Sequence, residues 1–271
     1  MARVITITSG KGGVGKTTSS ANLGTALAQQ GAKVVVIDAD IGLRNLDAVM
    51  GLENRIVYDI VDVVEGRAPV RKALIRDKHF PEHLSLLPAS QTRDKDSVNQ
   101  DDMIELTNQL RADYDFVFID SPAGIESGFR NAIAGADEVI IVTTPEVSAV
   151  RDADRIVGLV EAADKGKPRL IINRIKARMV NRGEMLSIED VLQILAIDLI
   201  GVVPDDELIV PATNRGEVVV LDKTSPAGRS FDEIARRIRG EDVPFTPLTE
   251  HVGLFERLFG ALGWRPRGSE R

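Results

Sequence analysis

"RVITITSGKGGVGKTT", residues 3–18, joins a β-branched apolar run to a glycine-rich loop and then to a stretch free of helix breakers. Gly10 through Thr17 satisfy G-x-x-x-x-G-K-[ST]. Glycines at these positions let backbone N–H groups turn inward around phosphate oxygens, and the helix that follows adds its positive end. The segment therefore predicts a nucleotide-phosphate loop in which Gly10, Lys11, Gly12, Gly13, Val14, Gly15, Lys16, Thr17 and Thr18 surround the phosphates. Lys16 is expected to reach the β- and γ-phosphates of ATP, and the Thr17 hydroxyl to bind Mg²⁺. A glycine-rich turn matching by accident is expected in about one per cent of chains of this length. The strand before the loop and the helix after it argue against accident.

Working outward from the loop, continuous apolar runs recur at 33–38, 115–120, 138–143, 169–173 and 199–204. Uninterrupted runs, rather than alternating ones, suit strands buried on both faces of a parallel sheet. Helix-like segments lie between them at 16–30, 100–113, 148–164 and 187–197, the last opened by Ser187 and Asp190 at capping-box spacing. Strand–helix alternation of this kind predicts an α/β fold of the P-loop NTPase type. Its doubly wound, mostly parallel sheet would be flanked by helices, with ligands held at the carboxyl ends of the strands. The expected organisation is one ATPase domain over 1–239, a linker over 240–251 and an amphipathic tail over 252–271.

The 271 residues can bury a sizeable core. A net charge of −7 argues against a surface coated for nucleic acid. With no cysteine, disulfides, thiolate metal sites and iron–sulfur clusters are excluded, and the expected compartment is reducing cytosol. The first residues resemble neither a signal peptide nor a transit segment, and no apolar run approaches the roughly 18–20 residues that span a bilayer.

Acidic residues close two of the predicted strands, Asp120 in "DFVFIDSPAG" and Asp38 with Asp40 in "VVVIDADIGLRN". A single strand-end aspartate usually caps a loop. Three beside a phosphate loop point instead to metal and water, with Thr17, Asp40 and Asp120 as the candidate metal set. Lys11 has two readings on spacing alone: a solvated lysine serving its own nucleotide, or a cation destined for another one. No arginine or glutamine is placed by motif as a transition-state stabiliser.

Lys11, Gly12, Gly13, Gly15, Lys16 and Thr17 also meet K-G-G-x-G-K-[ST], so the loop resembles that of the deviant Walker A ATPases, the ParA/MinD family. Segments 37–53, 86–96, 118–126, 173–206 and 212–217 resemble the division-site branch of that family and cover nearly the whole chain. The resemblance implies an ATP-dependent homodimer in which Lys11 reaches the nucleotide held by the other subunit. It also implies that Lys11, Lys16 and Asp40 are catalytic, that Asp40 positions the attacking water, and that Asp120 holds Mg²⁺ through water. Residues 120–126 would form a switch. Asn173 would hydrogen-bond adenine, with the backbone around Pro204 closing over the base. A division inhibitor would be the recruited partner, a second protein would activate hydrolysis, and the ATP-bound form would sit peripherally on the inner face of the cell membrane. The alternative within the family is a DNA-partition ATPase, for which the basic cluster Arg174, Lys176, Arg178 and Arg182 is the best support. The acidic total and the tail argue against it, so no nucleic acid is expected.

On a helical projection of 252–264, Leu254, Phe255, Leu258, Phe259, Ala261 and Leu262 share one arc, with Glu256, Arg257, Gly260 and Gly263 opposite. Leu254, Phe255, Leu258, Phe259 and Leu262 are the candidate membrane-binding residues. The bland reading is a terminal helix docked on the domain's own core. Glycines such as Gly260 and Gly263, and short length, predict poor helicity in water, which favours a segment that folds on an anionic lipid surface. Residues 251–271 carry four arginines and two glutamates. That is fewer basic charges than such tails usually have, so most of the affinity should come from apolar insertion.

Overall fold

In the computed structural model, which describes residues 2–246, the strands are β1 (Arg3–Thr8), β2 (Val34–Asp38), β3 (Ile75–Arg76), β4 (Leu84–Leu87), β5 (Phe116–Asp120), β6 (Glu138–Thr143), β7 (Arg169–Ile175) and β8 (Asp198–Pro204). All six predicted runs are strands. β3 and β4 lie where the sequence pattern predicts none. The helices are α1 (Lys16–Gln29), α2 (Leu46–Met50), α3 (Ile60–Val64), α4 (Val70–Ala73), α5 (Gln100–Leu110), α6 (Ser127–Ala134), α7 (Val147–Ala162), α8 (Ala177–Asn181), α9 (Ile188–Leu195), α10 (Ile209–Asn214) and α11 (Pro226–Ile238).

The strands make one eight-stranded sheet in the order β3-β4-β2-β5-β1-β6-β7-β8, parallel except for the β3–β4 pair. Every residue of β2 and β5 is buried, as continuous apolar runs require. Alternate side chains face opposite layers. Ile5, Ile7, Val34, Val36 and Phe118 share one core cluster with Leu23 and Leu27 of α1 and Phe231 and Ile234 of α11. Val4, Val35, Ile37, Val117 and Ile119 lie on the other face with Met103 and Leu106 of α5. Val139, Ile141, Leu170 and Ile172 cluster with Ile156 of α7 and Val191 of α9. Each such side chain contributes about 1.5–3 kcal/mol on full burial, so the three-layer sandwich is the way this pattern hides its apolar surface.

Local signals place the helix ends. Ser187 and Asp190 do form the predicted capping box, with Asp190 N donating to Ser187 Oγ at 3.0 Å and Ser187 N to Asp190 Oδ2 at 2.9 Å. α9 stops at Leu195 because Ala196 turns left-handed, at φ 51°. α11 begins with Ser225 accepting from Gly228 N at 2.8 Å and with proline in its first turn. Beyond α11 the chain turns back along the helix: Arg237 donates to Val243 O and Pro244 O, and Thr246 Oγ1 donates to Glu233 at 2.6 Å. The candidate membrane residues Leu254, Phe255, Leu258, Phe259 and Leu262 lie outside the described residues. Among those described, no helix is long and apolar enough to cross a membrane.

β1 sits between β5 and β6. The chain builds the sheet outward on one side of β1 and then crosses to the other, so the carboxyl end of β1 is a topological switch point. The phosphate loop begins there.

Candidate functional site

The loop leaves β1 at Ser9 and re-forms as helix at Lys16, with Gly13 at φ 79° and Gly15 at φ 100°. Two neighbours hold it. Asn173 Nδ2, from β7, donates to Val14 O at 2.8 Å, and a Cβ on Gly15 would stand 2.2 Å from that nitrogen. A Cβ on Gly10 would stand 2.3 Å from the carbonyl oxygen of Asp152 on α7. Above the loop opens a cavity of about 390 Å³. Its floor is Gly12, Gly13, Gly15, Lys16, Thr17 and Thr18. One wall comes from Asp40, Leu43 and Asn45, another from Lys95, Pro122 and Ala123, and Arg174 comes from β7. A Cβ on Gly12 or Gly13 would meet nothing within 4 Å, leaving room for phosphate oxygens against the backbone.

Three aspartates and one lysine set the electrostatics. Asp38 and Asp120 are register partners on β2 and β5, and both are fully buried. Burial pushes the Asp120 carboxyl up to about 6, against hydrogen bonds from Thr17 and Ser20 and the charge of Lys16. Ser20 Oγ donates to Asp120 Oδ1 at 2.9 Å. Burial, and then the neighbouring charge of Asp120, push Asp38 higher, to about 8. Lys16, 8 % exposed, is lowered by burial and supported by Asp120 and Asp40. Asp40, half-buried, is raised by burial, with Lys16 and Lys95 opposing. This cluster holds more carboxylate than one buried lysine can neutralise. A donor set of hydroxyl and carboxylate oxygen beside a phosphate cradle fits Mg²⁺ with a nucleotide.

Asp38 has a separate job. Its Oδ1 accepts from Asp40 N at 3.0 Å and its Oδ2 from Leu46 N at 3.1 Å. It ties down both ends of the loop that carries Asp40, a role sequence spacing does not separate from that of Asp40 itself. Because Asp38 and Asp120 bind protons more tightly folded than unfolded, the folded state holds the extra protons between about pH 4 and pH 8. Stability of the nucleotide-free chain is therefore expected to fall as pH rises through that window, by roughly 5–10 °C in melting temperature from pH 6 to pH 8. Asp38→Asn should flatten the slope. A wild-type melting temperature that is level or rises over this range contradicts the assignment.

The other predicted residues are placed as follows. Lys11 is exposed on the rim, its Nζ 3.3 Å from Ser148 Oγ and 3.6 Å from Glu146 Oε2 at the start of α7. It takes no part in lining the cavity of its own chain. Asn173 is 2 % exposed, and its Oδ1 accepts from Arg174 N at 2.9 Å. Pro204 ends β8 in register with Ile175 of β7, on the same side of the loop as Asn173. The basic cluster divides: Arg174 lines the phosphate cavity, while Lys176 pairs with Asp205 at 3.3 Å. Lys95, from a 3-10 turn at Lys95–Ser97, is a cavity cation that no local signal marks.

Comparison with known proteins agrees with this geometry. Residues 5–220 match the CobQ/CobB/MinD/ParA nucleotide-binding domain. The septum site-determining protein MinD of Synechocystis is 55% identical over 95% of this chain and 97% of its own length. Among solved structures, the MinC:MinD cell-division complex of Aquifex aeolicus superposes with a TM-score of 0.85 at 52% identity, covering 91% of this chain and 99% of the other. The Pyrococcus horikoshii protein, solved with Mg-ADP, gives 0.79 at 30% identity, covering 88% and 96%.

Proposed function

The chain belongs to the CobQ/CobB/MinD/ParA family of nucleotide-binding proteins and, within it, to the septum site-determining group, and from that premise we propose that its ATPase activity switches it between a free monomer and a membrane-held dimer that places the division site. The carrying observation is the assembly of Lys16, Thr17 and Asp40 around one cavity at the sheet's switch point, with buried Asp120 hydrogen-bonded to Thr17 and Ser20 beneath it. The chain is an ATPase that uses ATP and Mg²⁺.

Each side chain then has a chemical task. Lys16 and the loop N–H groups hold the β- and γ-phosphates, where negative charge gathers as the bond breaks. Thr17 would hold Mg²⁺ directly and Asp120 through water, and the ion would neutralise phosphate charge and support the leaving group. Asp40, which lines the same cavity and feels the charge of Lys16, accepts a hydrogen bond from the water that attacks the γ-phosphorus. The bond to ADP breaks and inorganic phosphate leaves. Asn173 keeps one N–H beyond the hydrogen that holds Val14 O, which suits it to adenine beside the backbone at Pro204. Lys11 does not line its own cavity, which supports a role at the nucleotide of a second subunit. The Aquifex relative was solved bound to MinC. A division inhibitor of that class is the partner proposed here, with a separate activator of hydrolysis.

Magnitudes connect the fuel to the membrane. Five large apolar side chains in 252–271 could each gain up to about 1.5–3 kcal/mol on burial, while ordering the backbone costs about 1–2 kcal/mol per residue. One tail adheres marginally. Two tails on a dimer gain about 10²- to 10⁴-fold by effective concentration. ATP then sets membrane residence without touching the tail. Co-sedimentation with anionic liposomes should be ATP-dependent, vanish on deletion of 252–271, and weaken only modestly between low and high salt. Binding to duplex DNA without lipid binding would select the partition-ATPase reading instead.

A further inference from the structure

We infer that Arg174 is a nucleotide-positioning residue, its guanidinium held against the α-phosphate and ribose end of the bound nucleotide. This rests on the nucleotide reading of the cavity and adds to it a residue outside the phosphate-loop pattern.

Four non-glycine residues among those described have positive φ: Arg44, Asp164, Arg174 and Ala196. Asp164 and Ala196 end helices, where a left-handed residue closes the last turn. Arg44 stands two residues before α2, and its charge is already paired, with Asp47 at 2.9 Å. Arg174, at φ 56°, is at no helix end. It sits inside β7, where the pairing with β8 slips between Ile172 and Ile175. A left-handed arginine in a strand costs about 1–3 kcal/mol, and such strain persists where the surroundings impose it and function uses it. Here the twist lets Arg174 N donate to Asn173 Oδ1 while Asn173 Nδ2 holds Val14 O. It also brings Arg174 to the cavity wall. Among the described residues the Arg174 guanidinium has no hydrogen bond and no ion pair, although it is exposed beside a cavity built for an anion.

Sheet order tells which end of the nucleotide it meets. β5 adjoins β1 on one side, with β2 beyond it, and β6 and then β7 lie on the other. Asp120 and Asp40 mark the γ-phosphate end, so Arg174 faces the end nearer the nucleoside, next to Asn173, whose amide stands against Gly15. Arginine suits this place because its planar fork donates to two phosphate oxygens at once. A contact to the part shared by ATP and ADP is uniform binding. Its loss raises KM and leaves kcat.

The test is titration of the full chain with Mg²⁺ and fluorescent mant-ADP or mant-ATP, together with steady-state ATPase kinetics. Arg174→Ala is expected to weaken both nucleotides by a similar factor, about tenfold, with kcat near wild type. Arg174→Lys should recover part of the loss. Arg174→Gly relieves the backbone and removes the guanidinium, so it should bind as poorly as Arg174→Ala. Wild-type affinity in both Ala and Gly variants overturns the assignment, as does loss in Ala that Gly restores, which would make the role one of backbone shape. If the wild-type chain binds neither probe, the nucleotide reading itself falls, a result separable from the others.

Discussion

Gly15→Ala is expected to lower affinity for MgADP by about 10²-fold or more, the summed effect of backbone strain and a broken clamp. At φ 100° and ψ 25° any L side chain is strained, by about 1–3 kcal/mol. The added Cβ would also stand 2.2 Å from Asn173 Nδ2, so it must expel the amide that holds Val14 O. Leaving that buried carbonyl without its donor costs about 1–3 kcal/mol more. Both losses fall on the geometry that aims the loop's N–H groups at phosphate, so binding suffers before the fold does. Gly166→Ala is the matched control. Gly166 is also left-handed, at φ 71°, but its Cβ would meet nothing within 4 Å, and it lies past α7, in the connection to β7. It should lose a little melting temperature and no nucleotide affinity. Titration with mant-ADP and thermal melting of both variants decide the matter. Affinity within about threefold of wild type in Gly15→Ala would show that the clamp has no part in binding.

The contrast between these two glycines marks what the sequence could and could not reveal. Both appear as glycines in turn-like stretches, and only the structure shows that β7 sends Asn173 across to the loop. The six strands from β2 to β8 in the sheet order were legible because they carry unbroken apolar runs, which burial on both faces demands of the inner ones. β4 escaped notice since "LSLL" is short, rich in leucine and interrupted by serine, a weak strand signal. β3, two residues long, exists only through its antiparallel pairing with β4. α11 was not among the predicted helices, although Ser225 and Pro226 stand at its start, and its place over the sheet beside α1 is a matter of packing. At the site, Lys16, Thr17, Asp40 and Asp120 were legible from local patterns. Lys95 and the strained Arg174 were not, because each reaches the cavity from a segment whose own neighbours carry no phosphate signature. Asp38 stood beside Asp40 at the end of its strand, outside the candidate metal set. Its two backbone partners make it the tie of a loop.

The placement of Lys11 yields the other large effect. Mixing Lys11→Ala with Asp40→Ala, each nearly inactive alone, is expected to restore ATP hydrolysis, peaking at equal amounts near about a quarter of the wild-type rate. Half of randomly formed dimers are mixed. In each of those, the Lys11→Ala subunit holds ATP beside an intact Asp40 and receives Lys11 from its partner, while the second site stays dead. If Lys11 served its own nucleotide, neither site in a mixed dimer would be complete and no mixture would turn over. The geometry supports the first outcome on energetic grounds. The hold of Glu146 and Ser148 on Lys11 is an exposed contact at 3.6 and 3.3 Å, and exposed ion pairs contribute about 0–1 kcal/mol. A lysine brought against transferring phosphoryl oxygens in a closed, water-poor interface gains far more, and losing such a cation typically costs about 10³-fold or more in rate. The weak contact on the rim keeps Lys11 out of its own cavity without competing with a partner's triphosphate. On the reading proposed above, dimer closure and hydrolysis would be joined in one side chain: the cation that completes each site would arrive only when two nucleotide-loaded subunits meet.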